Sequence, residues 1–218
     1  MIILNRFGNN KWTSTTDHKQ FILDLRLKIY LLSKKGHGND FIQRENKEFL
    51  KYAVEQKQAT KTNNFSADIQ AEQEKLLWAD FIIFQFPLWR YSVPGILKGW
   101  FDRVFTSGFI YSRDERYDTG KLKGRKVMLS TTTDSPKHAY TPYGMDGDMH
   151  EKILYHINHG MLYFSGLEPV EPFIAWTPSH NEEDRKRYLE EYKKRLHNIS
   201  EIPYIHTILL LIMTKIIN

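Results

Sequence analysis

Apolar positions along the chain alternate between two periods. From Ala79 to Phe86 they form an almost unbroken run centred on Phe81, Ile82, Ile83 and Phe84, which predicts a β-strand buried on both faces. Val127–Ser130 and Pro172–Trp176 repeat that pattern more briefly. Between these runs the period lengthens. Asn46–Tyr52 and Ser66–Leu77 carry charged residues with apolar ones at helical spacing, Ile69, Leu76 and Leu77 among them, and Ser66 suits an N-cap. Pro87 closes the first strand. Ser92 and Pro94 then open a helix whose Ile96, Leu97, Trp100 and Val104 share one face, because a proline in the first turn gives up an amide that has no helical partner. Asp148–Tyr163, with Ile153, Ile157 and Met161 in register, and Asn181–Leu196, with Tyr188, Tyr192 and Leu196, predict two further helices.

Continuous apolar strands alternating with helices predict an α/β domain built on a doubly wound parallel sheet. Residues 1–30 are atypical: a polar stretch holds Asn9, Asn10 and Thr13 to Thr16, and Phe21–Leu32 fits strand or helix. No regular first strand is legible there. The expected organisation is one domain over residues 1–200, followed by an apolar tail over 201–218.

Composition narrows the function. The chain has 218 residues, enough for one well-buried core, and no cysteine. That absence removes disulfides, thiolate zinc sites, iron–sulfur clusters and a cysteine nucleophile, and it fits a reducing, cytoplasmic setting. The net charge is +5, but the lysines and arginines are scattered among nearly as many acids and form no stripe, so nucleic-acid binding is not expected. Met1–Tyr30 lacks the features of a signal peptide. Ile208–Met213, even extended to Ile217, is far short of the ~20 residues that span a bilayer, so no membrane span is expected. His150, His156 and His159 lack a carboxylate at ligand spacing, so no metal is expected. Gly36-His37-Gly38 resembles half of a dinucleotide loop, but Phe41 stands where the third glycine belongs.

In open α/β sheets ligands bind beyond the carboxyl ends of the strands. Two segments stand there. Pro87-Leu88-Trp89-Arg90-Tyr91-Ser92-Val93-Pro94 places aromatics and a cation between strand and helix, walls that suit a flat aromatic ligand. Thr131-Thr132-Thr133-Asp134-Ser135-Pro136, running on to Tyr140, offers hydroxyls, backbone amides and a phenol able to donate a proton. Taken singly, either segment also fits plain packing or a turn.

The run Phe84-Gln85-Phe86-Pro87-Leu88 followed by Val93-Pro94-Gly95-Ile96-Leu97-Lys98-Gly99-Trp100-Phe101-Asp102-Arg103-Val104-Phe105 is similar to the signature of the NAD(P)H:quinone oxidoreductases, the family of the DT-diaphorases and modulators of drug activity. The resemblance continues through Tyr117-Asp118-Thr119-Gly120, Leu129 to Thr133, Gly144, Gly147-Asp148-Met149 and His159 to Pro172. It implies a flavodoxin-like homodimer holding FAD or FMN, which takes hydride from NAD(P)H and passes it to a quinone in ping-pong fashion. In matching positions, Pro87, Leu88, Trp89, Arg90 and Tyr91 would border the flavin ring with Thr132, Thr133, Asp134 and Ser135. Tyr140 would take part in hydride transfer, Tyr111 would line the substrate pocket from across the dimer, and Arg185 would reach the cofactor's phosphate region.

The departures from that pattern are specific. Arg90 stands where an aromatic is usual, Asp134-Ser135 where a Gly-Gly pair is usual, and Asp146 where some members have histidine. The initial phosphate-cradling loop of the family is missing from Asn5 to Asn10, although the hydroxyls of Thr13 to Thr16 suit a phosphate. The resemblance therefore leaves an alternative, a non-catalytic or regulatory relative with an impaired phosphate site.

Overall fold

A computed structural model describes residues 2–5, 21–23 and 37–205. One sheet has the order β2-β1-β3-β4-β5, with β1 at Ile2–Asn5, β2 at Phe21–Leu23, β3 at Phe81–Pro87, β4 at Lys126–Thr133 and β5 at Glu168–Trp176. β3, β4 and β5 are parallel, as their continuous apolar runs predict. The amino-terminal strands differ. β1 runs antiparallel to β3, with Ile2 opposite Phe84 and Asn5 opposite Phe81, and β2 runs antiparallel to β1. Apolar periodicity carries no information on strand direction, so the sequence could not show that the sheet is mixed. Asn5 thus lies at the amino end of β3, the end opposite Pro87. Thr13 to Thr16, the rest of the mixed segment beyond Leu23 and the tail from His206 lie outside the described residues.

The helices are α1 at Tyr52–Thr62, α2 at Ala67–Trp78, α3 at Gly95–Val104 and α5 at Glu182–His197. Between β4 and β5 lies α4, a composite of π-helical turns at Met149–Ile153 and Asn158–Leu162 around an α-turn at Tyr155–Ile157, ending in a 3-10 turn at Tyr163–Ser165. The helix expected at Asn46–Tyr52 is a loop instead, and the first helix begins where that prediction ended. Asn46 Oδ1 accepts the amides of Glu48 and Phe49 at 3.0 Å, while the buried Glu55 carboxylate accepts those of Glu45 and Asn46 at 2.9 Å. Such bonds give the backbone an alternative to helix. The buried residues of α1 are Glu55, Gln56 and Ala59, so it has no apolar stripe to detect.

β3 feeds two cores. Ile82 and Phe84 join Leu97, Trp100 and Phe101 of α3, Ile69 and Leu76 of α2, and Ile153 and Ile157 of α4. Phe81 and Ile83 face the other way, into a smaller cluster with Met128, Val170, Ile199 and Ile202, packed by Tyr192 and Leu196 of α5. β5 starts at Glu168, four residues before the predicted Pro172. The register shifts between Met128 and Ser130, placing an extra β5 residue between Val170 and Phe173. A bulge there tolerates Pro172, which lacks a ladder amide. Beyond α5, Ile205 N–H donates to Pro169 O at 3.0 Å and Glu171 N–H to Pro203 O at 2.9 Å, covering the outer edge of β5.

Candidate active site at the carboxyl edge of the sheet

The two segments singled out in the sequence meet at the carboxyl edge. Pro87 pairs with Thr132, and Leu88 N–H donates to Thr132 O at 2.9 Å. The chain then reverses within two residues: Trp89 N–H donates to Ser92 O at 3.1 Å and Ser92 N–H to Trp89 O at 3.0 Å. Arg90 and Tyr91 both take left-handed backbone, with φ of 50° and 59°, the pattern of a type I′ turn, which favours Asn-Gly. Each left-handed non-glycine residue costs roughly 1–2 kcal/mol. Strain of this kind persists only where surroundings impose it. The turn exposes Trp89 and Tyr91, at 61% and 48%.

The second wall is the segment after β4. Thr132 is exposed and Thr133 buried, with Thr133 Oγ1 donating to Ser135 O at 2.9 Å. Asp134 and Ser135 need no glycine, since neither is among the positive-φ residues. The Asp134 carboxylate turns out to solvent beside His180 Nε2 at 3.3 Å. Tyr140 is 8% exposed, with its ring 5.4 Å from that of Trp176 at the end of β5. Burial raises the Tyr140 pKa above the usual tyrosine value, aided by the charges of Asp146 and Asp134 and opposed by a bond with Ser135.

A compact loop connects Tyr140 to α4. Asp146 N–H donates to Ala139 O at 2.9 Å, and a Cβ on Gly144 would lie 2.2 Å from that same oxygen, so only glycine allows the approach. The Tyr91 hydroxyl donates to Asp146 Oδ1 at 2.9 Å, and Ser92 Oγ lies 3.1 Å from His156 Nε2 of α4. Among the described residues, the backbone amides of Arg90, Tyr91, Asp134 and Ser135 donate to no protein acceptor. Open amides beside exposed rings suit the polar rim and flat face of a flavin.

Pro87, Leu88, Trp89, Arg90, Tyr91, Thr132, Thr133, Asp134, Ser135 and Tyr140 are thus brought to one edge. Arg185 lies on α5 just beyond it, its guanidinium closing the β5–α5 loop on the carbonyls of Pro178 and Ser179 at 3.3 and 3.4 Å. Tyr111 is not with them. Its ring packs 5.2 Å from Phe164, at the end of α4 and next to the start of β5, the opposite end of the parallel strands. Reading the sequence missed Trp176 and His156 as neighbours of the site. Trp176 was accessible to the rule that singles out strand ends, whereas His156 gave no signal because its helix is irregular. Among the described residues no group of three or more acidic or histidine side chains could hold a metal ion, and no helix is long and apolar enough to cross a membrane.

Comparison with known proteins places the architecture. Over 155 residues the chain is 43% identical to NAD(P)H dehydrogenase [quinone] 1 of Rattus norvegicus, covering 71% of this chain and 56% of the rat protein. It is 41% identical over 155 residues to ribosyldihydronicotinamide dehydrogenase [quinone] of Homo sapiens, covering 71% of this chain and 67% of that protein. The chain thus spans little more than half the length of the rat relative. Among solved structures, one described as a quinone reductase from Klebsiella pneumoniae superposes with a TM-score of 0.68 at 35% identity, over 76% of this chain and 67% of that one. A family model described as Flavodoxin-like fold matches residues 37–197, and the chain belongs to that family.

Proposed function

We propose that the chain is a flavin-dependent NAD(P)H:quinone oxidoreductase, reducing a quinone by two electrons to the hydroquinone in ping-pong fashion. The observation that carries the reading is the convergence of the strained aromatic turn Trp89–Ser92 and the Tyr140 segment on one edge, with four open amides between them. A bound flavin, FAD or FMN, would supply the hydride-accepting and hydride-donating ring. The protein's part is to hold and enclose it. Trp89 and Tyr91 offer aromatic surface, and the amides of Arg90, Tyr91, Asp134 and Ser135 offer donors to its polar rim. Tyr140, a protonated phenol at neutral pH, offers a hydrogen bond to oxygen as negative charge develops there. Arg185 is assigned to the cofactor's phosphate region, where it would exchange loop carbonyls for a phosphate.

Tyr111, which follows α3 and packs on Phe164 at the end of α4, does not join Tyr140 within one chain, so its role in the pocket requires a homodimer that brings the partner's end of the sheet to this edge. The alternative of a non-catalytic relative draws on one observation, the reversed β1, which delivers Asn5 to the end of β3 away from the site. The intact carboxyl edge favours the enzyme, and the cysteine-free composition suits a reducing cytoplasm.

The test is steady-state oxidation of NADH and NADPH by flavin-loaded protein with menadione varied at several fixed nicotinamide concentrations. Parallel double-reciprocal lines are expected. Absence of quinone-dependent oxidation with either nucleotide and either flavin would rule the activity out.

A further inference from the structure

The Trp89–Ser92 turn poses a question that its own sequence does not answer. Arg90 and Tyr91 both hold left-handed backbone without the asparagine or glycine that such turns favour, so the conformation is imposed from outside. Three tethers reach this loop: Leu88 N–H to Thr132 O at 2.9 Å, Ser92 Oγ to His156 Nε2 at 3.1 Å, and the Tyr91 hydroxyl to Asp146 Oδ1 at 2.9 Å. The first two act beside the strained pair. Only the third acts on a member of it.

The acceptor of that bond is itself fixed. Asp146 N–H is held by Ala139 O at 2.9 Å in the loop that Gly144 tightens. Two residues on, Asp148 caps α4 by accepting the amides of His150 and Glu151 at 2.9 and 2.7 Å. Donation to this carboxylate is also what chiefly raises the Tyr91 pKa above the usual tyrosine value, as expected of a hydroxyl bonded to a charged oxygen. A turn that its residues disfavour and a carboxylate that grips one of them from 55 positions away in sequence point to the same device.

We infer that Asp146 is a positioning residue of the acceptor pocket: through the Tyr91 hydroxyl it locks the strained turn against the Tyr140 loop and thereby sets the affinity for a flat aromatic acceptor. The inference rests on the oxidoreductase reading given above. Asp146 acts chiefly through Tyr91, its charge being only a later contributor to the raised Tyr140 pKa after burial, so its loss appears mainly in KM. A side chain at this position that cannot accept a hydrogen bond frees the turn.

The experiment pairs kinetics with a readout that needs no cofactor. Tyr91→Phe, Asp146→Ala, the double variant and Asp146→Asn are compared in menadione reduction by NADH with flavin supplied. In parallel, exchange of the hydrogen-bonded Trp89 and Ser92 amides is followed in flavin-free protein. Tyr91→Phe and Asp146→Ala are expected to raise the KM for menadione about 5- to 10-fold, with kcat within about 2-fold. The double variant should be no worse than either single one, since both remove the same bond. Asp146→Asn keeps an oxygen acceptor and should recover most of the loss. Exchange at Trp89 and Ser92 should quicken in Tyr91→Phe and Asp146→Ala and not in Asp146→Asn. Unchanged KM and exchange in the single variants, additive losses in the double, or a fall in kcat at constant KM would overturn the inference. A wild-type protein that reduces no quinone would overturn the function and the pocket role with it. The exchange pattern would then report separately whether Asp146 holds the turn.

Discussion

Arg90, just ahead of the amino end of α3, and Arg103, near its carboxyl end, are both cations, and the fold treats them in opposite ways. Arg103 is 3% exposed. Its Nε donates to Asp40 Oδ1 at 2.7 Å, a second guanidinium nitrogen reaches the same oxygen, and Asp68 lies 3.8 Å away. The Tyr52 hydroxyl bonds the other Asp40 oxygen at 2.5 Å. Nearby, Gln73 donates to Thr106 Oγ1 at 3.0 Å, Gln56 donates to Asp102 O at 3.0 Å, and Trp100 Nε1 donates to Glu72 at 3.3 Å. At the other end Arg90 sits exposed on a strained turn, next to open amides and bare rings. Satisfied polar groups rigidify one end. At the other, the Arg90 and Tyr91 amides face solvent with no protein acceptor among the described residues.

Mutations can break this contrast from either side. The largest effect is expected from Arg103→Ala, which leaves Asp40 charged, buried and without its cation. Urea unfolding should show a loss of about 3–5 kcal/mol, while the flavin affinity of the folded fraction stays as it was. Next comes Tyr140→Phe at the open end. It should lower kcat about 100-fold and move the unfolding midpoint little, a separation that measuring both quantities on one preparation would reveal. If the two variants exchanged phenotypes, the division between the ends would be wrong.

Tyr52→Phe sharpens the buried side. Losing a hydroxyl bonded to a carboxylate should cost about 1.5–3 kcal/mol near neutral pH. Burial first, then the bond to Asp40 and that residue's charge, raise the Tyr52 pKa well above the usual tyrosine value. A pKa raised in the folded state gives stability that is complete below the unfolded tyrosine pKa of about 10 and is lost as pH climbs beyond it. Wild-type stability should therefore fall above about pH 10 through this group, and Tyr52→Phe should flatten the decline in alkaline unfolding curves. A smaller change of opposite sign is expected from Arg90→Gly. Relief of roughly 1–2 kcal/mol of left-handed strain, less about 0.5–1 kcal/mol for glycine's greater unfolded freedom, leaves a net gain of about 0.5–1 kcal/mol. The smallest effect belongs to the solvent-exposed Lys98–Asp102 pair at 2.5 Å. Lys98→Ala should change stability by no more than about 0.5 kcal/mol.

The carboxyl edge was the legible end. Phe81–Phe84 announce a central strand by an apolar run, Pro94 marks the start of α3, and the rule that ligands gather beyond strand ends picks out Trp89 to Tyr91 and Thr132 to Tyr140 without coordinates. The buried polar end was not legible. Glu55, Gln56, Glu72 and Arg103 read as surface residues by composition, and only their partners in the fold, the Glu45 and Asn46 amides, Asp102 O, Trp100 Nε1 and Asp40 respectively, show why they are inside. The same limit hid the first helix, whose inner face is polar, and the reversed β1, whose direction no periodicity encodes. At the site itself, the left-handed Arg90–Tyr91 pair escaped notice because those residue types do not signal such a turn.

Hydrogen–deuterium exchange with and without FAD or FMN tests the central claim most directly, because it asks where a flavin lands. Slower exchange is expected at residues 88–92 and 132–135, with no change around Asp40, Tyr52 and Arg103. Protection that falls elsewhere, or a folded protein whose exchange neither flavin alters, would contradict it.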